Sequence, residues 1–243
     1  MASNPTTGSN AAPDSLIDRT TSLKYWNEMP ATSSGMLAML GDYPWYTRID
    51  LRGNKTFLNK LSRVSPSCSA FKTKVKRGVD CGAGVGRVTE GFLREACEVV
   101  DIVEPVEKFT RVLHDGALKR DGVVVVIYTL GLEDWVPERQ YDLIWMQFCV
   151  GHLTDRQLVE CVGRCRDALT DGGIMVVKEN MSTNPDRTDM YDEVDSSVTR
   201  TDEKFRTIFR EAGMQLISTE LQLGFPKDFK LLPVRFYALR SNK

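Results

Sequence analysis

The sequence contains only two histidines, His114 and His152, among its 243 residues. Histidine and cysteine are the usual protein ligands of zinc, and neither histidine belongs to a recognisable ligand spacing. Cys161 and Cys165 lie one helical turn apart and could meet a metal, but no histidine completes that pair. The two thiols are better explained as small apolar residues on a buried helix face. We therefore expect no metal site.

The sequence also lacks a long apolar run, an excess of charge and a secretory cysteine framework. No segment approaches the roughly 20 apolar residues of a membrane span. With 32 basic and 33 acidic residues the net charge is -1, which provides no general attraction to nucleic acid or anionic lipid. The six cysteines are scattered, and no signal peptide is apparent. We expect no nucleic-acid or membrane partner, and a reducing location in the cytoplasm or nucleus.

A glycine-rich turn is the feature around which the rest of the sequence is organised. The apolar run that begins at Val75 leads through Asp80 to Gly82, Gly84 and Gly86, and a helical pattern follows. Glycines let a backbone turn sharply and approach a ligand, and amides at a helix start face the same space. The spacing is one residue shorter than the dinucleotide fingerprint. Asp80 would repel a pyrophosphate but attract the ammonium of S-adenosylmethionine, directly or through a water.

A second acidic residue supports a nucleoside ligand. The apolar run Val99–Val103 is followed by Glu104, about 20 residues after the turn, where an acid can accept both ribose hydroxyls. Together the two signals favour S-adenosylmethionine. A glycine turn in another kind of α/β protein, with a chance acid at position 104, is the alternative.

Composition divides the chain into three segments. Residues 1–20 are rich in Ser, Thr, Asn, Pro and Ala and nearly devoid of large apolar side chains, which predicts a disordered tail. Residues 21–74 carry short helical patterns and predict an N-terminal helical extension. Tyr25 and Trp26 in that extension are either core anchors or the wall of a lid over the site. Residues 75–243 form the predicted main domain.

Strand and helix patterns alternate through the main domain. Strands are predicted near 75–80, 98–103, 123–128, 142–146, 173–178, 214–221 and 234–239, and helices over 85–96, 106–118, 154–169 and 202–212. Continuous apolar strands separated by helices indicate a parallel sheet covered on both faces. The last two strands follow each other without a helix. We predict an α/β, Rossmann-like, seven-stranded, mostly parallel sheet with helices on both faces and a C-terminal antiparallel hairpin.

Three longer motifs make the sequence resemble one family. They are DCGAGVGRVT at 80–89, GHLTD at 151–155 and DSSV at 195–198, and the likeness extends from about residue 25 to about residue 240. These motifs resemble those of S-adenosylmethionine-dependent methyltransferases that methylate protein N-terminal α-amines of Ala/Pro/Ser-Pro-Lys type. The resemblance implies S-adenosyl-L-methionine as cofactor, S-adenosyl-L-homocysteine as product and the N-terminal peptides of proteins as partners.

The resemblance also assigns roles to individual positions, adding to Gly82 and Glu104, which their spacing already places beside the donor. The implied donor-binding residues are Met36, Gly82, Gly84, Arg87, Glu104, Pro105, Val106, Leu132, Glu133 and Gln147. The implied substrate-binding residues are Trp26, Phe148, Asp192, Ser197 and Asp228. The implied catalytic residues are His152, Asn180 and Asp195.

Three positions depart from the family pattern. Members commonly have Trp, Gln and Asp where this chain has Phe148, Glu133 and Glu104. The change of one acid for another is mild, and Glu133 can still act through its backbone. Phe148 replaces part of an aromatic clamp with a smaller ring that lacks an N–H. We therefore expect this position to affect the preference for the first residue of the peptide.

Methyl transfer to an amine requires that the amine be in line with the donor and neutral. An α-amine with a pKa near 7.7–8 is already about a tenth or more neutral at pH 7. Asp195 would hold the amine but also favour its protonated form. His152 is therefore predicted to accept the proton; the alternative is a histidine that only caps and packs.

The peptide end of the site rests on three further residues. Asn180 is predicted to bind peptide backbone with its amide, or else to be a simple turn residue. Asp192 and Glu193 are expected to attract a basic third residue of the peptide, although such an acidic run can also be only a solvated loop.

These observations predict an S-adenosylmethionine-dependent protein N-terminal methyltransferase. Two alternatives remain. A small-molecule amine methyltransferase is one, because the fold alone does not select a substrate. A noncatalytic adaptor on the same fold is the other, and it would require a blocked donor pocket.

Overall fold

A seven-stranded sheet forms the centre of the protein, whose computed structural model describes residues 11–64 and 66–242. Its strands, with the separate pair β6 and β7, are β1 (Val75–Cys81), β2 (Cys97–Val103), β3 (Val124–Tyr128), β4 (Tyr141–Gln147), β5 (Leu169–Asn180), β6 (Met190–Asp192), β7 (Ser197–Thr199), β8 (Met214–Leu221) and β9 (Val234–Ser241). The order is β3-β2-β1-β4-β5-β9-β8. Strands β1 to β5 are parallel, and β9 is antiparallel to both β5 and β8. The predicted fold class is confirmed.

Helices cover both faces of this sheet. They are α1 (Arg19–Glu28), α2 (Pro44–Val64), α3 (Arg94–Ala96), α4 (Glu107–Asp115), α5 (Ala117–Arg120), α6 (Asp155–Asp167) and α7 (Asp202–Glu211). Successive residues of β4 alternate between two apolar clusters: Ile144 belongs to the cluster that includes α6 and α7, and Trp145 to the cluster that includes α2. The N-terminal extension therefore shares the core of the main domain. Within the described residues, no helix is both long and apolar enough to cross a membrane.

Two predicted helices differ from the observed ones because of glycine. The helix predicted over 85–96 starts late, since Gly84 and Gly86 have positive φ angles, and it opens with a π-helical turn over Thr89–Leu93 before α3. The helix predicted over 106–118 is split into α4 and α5 by Gly116, whose backbone is extended. The capped helix predicted from Thr154 is confirmed, with a complete capping box at the start of α6.

The predicted disordered tail is wrong at its C-terminal end. Residues 1–10 lie outside the described residues, but Pro13–Leu16 form a 3-10 helix and α1 begins after Asp18, which caps it. This segment is ordered because its polar groups have distant partners. An Asp14 carboxylate oxygen accepts from the Asp155 amide at 3.0 Å, and the Asp18 amide donates to Ser196 Oγ at 2.8 Å.

The sequence also gave no sign of the hairpin formed by β6 and β7. Its three-residue strands pair Asp192 with Ser197, and Ser196 turns the chain with a positive φ of 54°. The acidic run, for which a solvated loop is the alternative interpretation, therefore lies on a short, defined hairpin that also carries the DSSV motif.

Candidate active site

A cavity lies where the carboxyl ends of β1, β2 and β4 meet, the usual ligand edge of such sheets. It contains about 1000 Å³ of space, part of it open to solvent. Of the predicted site residues it is lined by Trp26, Met36, Gly82, Gly84, Arg87, Glu104, Pro105, Val106, Leu132, Glu133, Gln147, Phe148 and His152. The predicted donor-binding residues thus all meet in one cavity, and their individual roles remain predictions.

The glycine turn follows β1 directly and is packed more tightly than expected. Gly82 and Gly84 have φ angles of 66° and 56°, which residues with side chains rarely adopt. A Cβ on Gly82 would lie 2.3 Å from Cys149 Cβ, and one on Gly84 would lie 2.4 Å from Met36 Sδ. The glycines are therefore required because neighbouring protein atoms leave no room for a side chain. The sequence alone suggests a different reason, the close approach of a ligand.

Glu104 closes the turn from the end of β2. One carboxylate oxygen accepts from the Gly84 amide and the other from the Val106 amide, each at 2.8 Å. Burial raises the pKa of this carboxyl to about 7, against the opposing effect of the two amides. Each oxygen has lone pairs beyond those that the amides use, so the carboxylate can still accept from ribose hydroxyls.

Asp80 does not line the cavity, so the structure does not support its predicted direct contact with the donor ammonium, and a contact through a water stays a prediction. Its side chain is buried and accepts from Thr89 Oγ1 at 2.6 Å. Burial raises its pKa to about 6. Asp80 therefore fixes the turn to the helix behind it.

The face of α1 that turns inward forms one wall of the cavity. Arg19, Ser22, Leu23 and Trp26, spaced three and four residues apart, line it together. At the C-terminal end of this helix, Lys108 Nζ donates to the carbonyl groups of residues 27 and 29. The helix therefore covers the site as a lid, and Trp26 belongs to the lid wall.

His152 is held by two residues of that lid. Trp26 Nε1 donates to His152 Nε2 at 3.1 Å, and His152 Nδ1 lies 2.9 Å from Ser22 Oγ. Because Nε2 accepts, the proton of the neutral ring is assigned to Nδ1. Burial lowers the pKa of His152, although the charge of Asp195 opposes this. Burial thus favours the neutral ring that a base requires, but its accepting nitrogen is occupied, and the role of His152 as a base remains a prediction.

The β6–β7 hairpin brings Asp195 and Ser197 beside this histidine. A Cβ on Gly151 would lie 3.5 Å from Ser197 Cβ. Burial and then the charge of Asp195 raise the pKa of Tyr25 in the lid. Asp195 Oδ1 is buried without a hydrogen-bond partner in the protein. A buried carboxylate oxygen without a partner in the protein is uncommon and makes Asp195 a candidate for binding a ligand group.

A model of the AdoMet-dependent proline di-methyltransferase family matches residues 14–240. The chain belongs to this family. It is 38% identical over 219 residues to alpha N-terminal protein methyltransferase 1 of Schizosaccharomyces pombe, covering 89% of this chain and 93% of that protein. It is also 38% identical over 217 residues to N-terminal Xaa-Pro-Lys N-methyltransferase 1 of Rattus norvegicus, covering 89% and 92%.

The fold of this proline di-methyltransferase family member is shared with a solved S-adenosylmethionine-dependent methyltransferase of Leishmania major. The two superpose with a TM-score of 0.78 at 30% identity, covering 93% of this chain and 86% of the other. The protein is therefore an S-adenosylmethionine-dependent methyltransferase, and the noncatalytic adaptor is set aside. The cavity fits that donor: Glu104 suits ribose hydroxyls, Arg87 suits a carboxylate, and apolar side chains such as Leu132 suit a base.

Phe148 of this methyltransferase lines the cavity from a strained backbone. Its φ is 55°, uncommon for a residue with a large side chain, and its amide donates to the carbonyl of Lys178 at 3.0 Å. Strain of this kind is found mainly at functional sites. The geometry therefore supports the predicted place of this ring beside the substrate.

Glu133, the second departure from the family, has its carboxylate engaged by the lid. It forms an ion pair with Arg19 at 2.7 Å. Arg164 donates to the backbone carbonyls of Leu132 and Glu133 at 2.7 and 3.1 Å and so fixes their loop. This agrees with a role for Glu133 through its backbone.

Asp195 and Ser197 are not among the residues that line the cavity, and three other predicted site residues also lie outside its lining. Asn180 ends β5, paired with Val234 of β9. Asp192 is exposed and accepts from the Val194 amide at 2.9 Å, within its own turn. Asp228 is exposed in the 3-10 turn between β8 and β9. Their contacts with a peptide remain predictions.

Sequence reasoning missed part of the site. The lining residues that it did not assign to the site are Arg19, Ser22, Leu23, Ala83, Val88, Phe109, Gly131, Cys149 and Leu153. It also missed Asp50, a buried carboxylate on α2 that binds two lining residues. A signal for Asp50 exists: with Asn54, Phe57 and Leu61 it follows the spacing of one helix face. Within the described residues, no cluster of His, Cys, Asp and Glu is arranged to hold a metal ion.

Proposed function

We propose that this methyltransferase transfers methyl groups to the α-amine of protein N-termini of Ala/Pro/Ser-Pro-Lys type. The observation that carries the proposal is the buried, unpartnered Oδ1 of Asp195 beside the neutral ring of His152. An amine brings to this point the N–H donors that the carboxylate lacks and the proton that the imidazole accepts. The site thus has separate groups for holding and for deprotonating an amine.

The order of events follows from these contacts. The peptide amine binds Asp195 as an ammonium, and Trp26 must release His152 Nε2 before that nitrogen takes the proton. Bound S-adenosylmethionine would supply the methyl group from its sulfonium: the neutral nitrogen would bond to the methyl carbon as the carbon–sulfur bond breaks, leaving S-adenosylhomocysteine. The lid of α1 excludes water from this step.

Two further observations support a peptide with a basic third residue. The rat relative is named an N-terminal Xaa-Pro-Lys N-methyltransferase. On this chain, the exposed acids Asp192 and Glu193 stand on the same hairpin as Asp195. A Lys side chain three residues from the amine would therefore meet negative charge.

We also propose a reducing location, the cytoplasm or the nucleus. Support comes from the cysteines, none of which forms a disulfide within the described residues. Fractionation of cells that express the tagged protein, followed by blotting, checks this location.

The proposed activity is tested with matched peptides and mass spectrometry. Ser-Pro-Lys, Ser-Pro-Glu and N-acetylated Ser-Pro-Lys peptides are incubated with enzyme and S-adenosylmethionine. We expect methylation at the α-amine, a kcat/KM at least tenfold higher for Lys than for Glu, and no product from the acetylated peptide. Equal kcat/KM values for Lys and Glu, or turnover of simple amines at rates equal to those of peptides, would overturn the proposed substrate.

A further inference from the structure

Asp50 of α2 holds two residues of the donor cavity without lining that cavity itself. Its carboxylate accepts from Arg87 Nη1 at 2.7 Å and from Gln147 Nε2 at 2.8 Å, the second oxygen being 3.0 Å from the same nitrogen. Arg87 comes from the glycine turn after β1, and Gln147 ends β4. One buried carboxylate therefore joins two walls of the site that belong to different elements.

The orientation of the Gln147 amide is set by the same group of residues. Its oxygen accepts from Asn54 Nδ2 at 2.8 Å and from Trp145 Nε1 at 3.0 Å. Both lone pairs of that oxygen are thus used inside the protein, and its nitrogen faces Asp50. What Gln147 can offer to the cavity is therefore an N–H.

Two cations share this single carboxylate. Besides Arg87, Lys178 of β5 contacts Asp50 through Nζ and also donates to Asn54 Oδ1 at 2.8 Å. Burial would raise the pKa of Asp50, but the charges of Lys178 and Arg87 outweigh it and hold that pKa below its ordinary value. Burial lowers the pKa of Lys178 to about 8. Asp50 is therefore ionised, and its removal would leave buried cations without a counter-charge.

We propose that Asp50 is a positioning residue for the methyl donor, which orients Arg87 and Gln147 toward the bound ligand without touching it. The inference stands on the donor half of the site and is independent of the peptide specificity proposed above. It also gives the N-terminal extension a part in cofactor binding, since α2 supplies this carboxylate.

The alternative is that Asp50 only anchors α2 to the core, and three variants separate the two. Asp50→Asn removes the counter-charge of Arg87 and Lys178, so both stability and donor affinity should fall. Lys178→Met leaves the bonds to Arg87 and Gln147 in place. The double variant Asp50→Asn/Lys178→Met restores the net charge of the buried group, but it still lacks the carboxylate that binds Arg87 and Gln147.

Calorimetric titration with S-adenosylhomocysteine and thermal unfolding are measured on each variant. We expect Asp50→Asn to weaken binding by about 10- to 100-fold, the range for a lost hydrogen bond to a charged group. Lys178→Met should stay within a few-fold of wild type. The double variant should regain thermal stability but not affinity. In steady-state kinetics of Asp50→Asn, the KM for the donor should rise while the KM for the peptide stays unchanged.

Asp101→Asn is the matched control. Asp101 is equally buried and is paired with Arg77 at 2.8 Å and with Tyr141 Oη at 3.0 Å, away from the cavity lining. This variant should lose stability and keep its affinity. Wild-type affinity in Asp50→Asn, or recovery of affinity together with stability in the double variant, would overturn the proposal. If Asp50→Asn does not fold, the double variant decides the question by itself.

Discussion

The indole N–H of Trp26 donates to Nε2 of His152 at 3.1 Å, across 126 positions of the chain. This bond occupies the one lone pair with which the neutral imidazole could accept a proton. His152 can therefore act as a base only after Trp26 moves, and the lid and the proton transfer are coupled through a single contact. The bond forms only with the neutral ring, which is also the form that burial favours by lowering the pKa of His152.

Trp26→Phe should raise the pKa of His152, since the phenyl ring keeps the wall of the lid but cannot donate to Nε2. The titration is followed by nuclear magnetic resonance of the imidazole nitrogens. The protein has only two histidines, and the exposed His114 serves as an internal reference. An unchanged pKa for His152 would show that the indole bond does not control its protonation.

His152→Ala should lower kcat on the order of 100-fold, the usual loss for a general base, while affinity for S-adenosylhomocysteine stays the same. The deficit should shrink above the pKa of the α-amine, because solvent then supplies the neutral amine. Values of kcat from pH 7 to 9.5 measure this. A deficit that is constant over the range would assign His152 a packing or capping role.

Arg200→Met should lower kcat/KM for the peptide by about tenfold or more and leave donor affinity unchanged. The buried guanidinium of Arg200 donates to the carbonyl groups of Val150 at 3.0 Å and of Leu153, on both sides of His152. It also donates to Asp155 at 2.8 Å. Because Arg200 directly follows β7, it ties the hairpin of Asp195 to the turn of His152.

Arg206→Met is the control for that variant, because Arg206 forms a partly exposed pair with Asp202 on α7, and such pairs contribute little. Kinetics with both substrates varied compare the two variants. Equal losses in the two variants would contradict a specific role for Arg200.

The protein without donor should be less stable at pH 8 than at pH 5.5. Burial raises the pKa of Glu179 to about 7, against the opposing effect of the Cys149 and Val150 amides that its carboxylate accepts. Glu104 is also raised to about 7 and Asp80 to about 6. The pKa of each of these carboxyls is higher in the folded protein than its ordinary value of 3.8 to 4.5, so protonation stabilises the fold. This contribution to the free energy of unfolding is fully present below about pH 4 and is lost as the pH rises through 7.

Urea denaturation at several pH values measures that slope. Glu179→Gln keeps an acceptor for both amides and should flatten the slope. The exposed Glu203→Gln on α7 should leave it unchanged. A slope identical in wild type and Glu179→Gln would show that Glu179 is ionised throughout the range.

The sheet and the donor side of the cavity could be predicted because their signals are local. The turn at Gly82 and the acid at Glu104 are set by spacing along adjacent strands, and parallel strands bring their carboxyl ends together. The pairing of Trp26 with His152 could not be predicted, since no local pattern joins two such distant residues. Asp50 lies on the apolar face of α2, where a charged residue has no evident reason in the sequence. Its role is visible only from its partners on other elements.

The β6–β7 hairpin was beyond sequence reasoning for a different reason. Strands of three residues are too short to show alternation, and Ser196 adopts a left-handed backbone without being glycine. Tertiary contacts stabilise that conformation: Ser196 Oγ accepts from the Asp18 amide and lies 3.1 Å from Tyr191 Oη. The same contacts order the N-terminal segment that composition alone assigned to a disordered tail.

The partners of the N-terminal segment determine when it can fold. Asp14, Asp18 and Trp26 bind residues 141, 178 and 126 positions further along the chain. During synthesis this segment leaves the ribosome well before the residues that it contacts. A ten-residue helix is not stable alone in water, and contacts between distant residues form slowly. Helix α1 is therefore made before its partners but seated after them, and a nascent chain closes its donor cavity only after the β6–β7 hairpin has emerged.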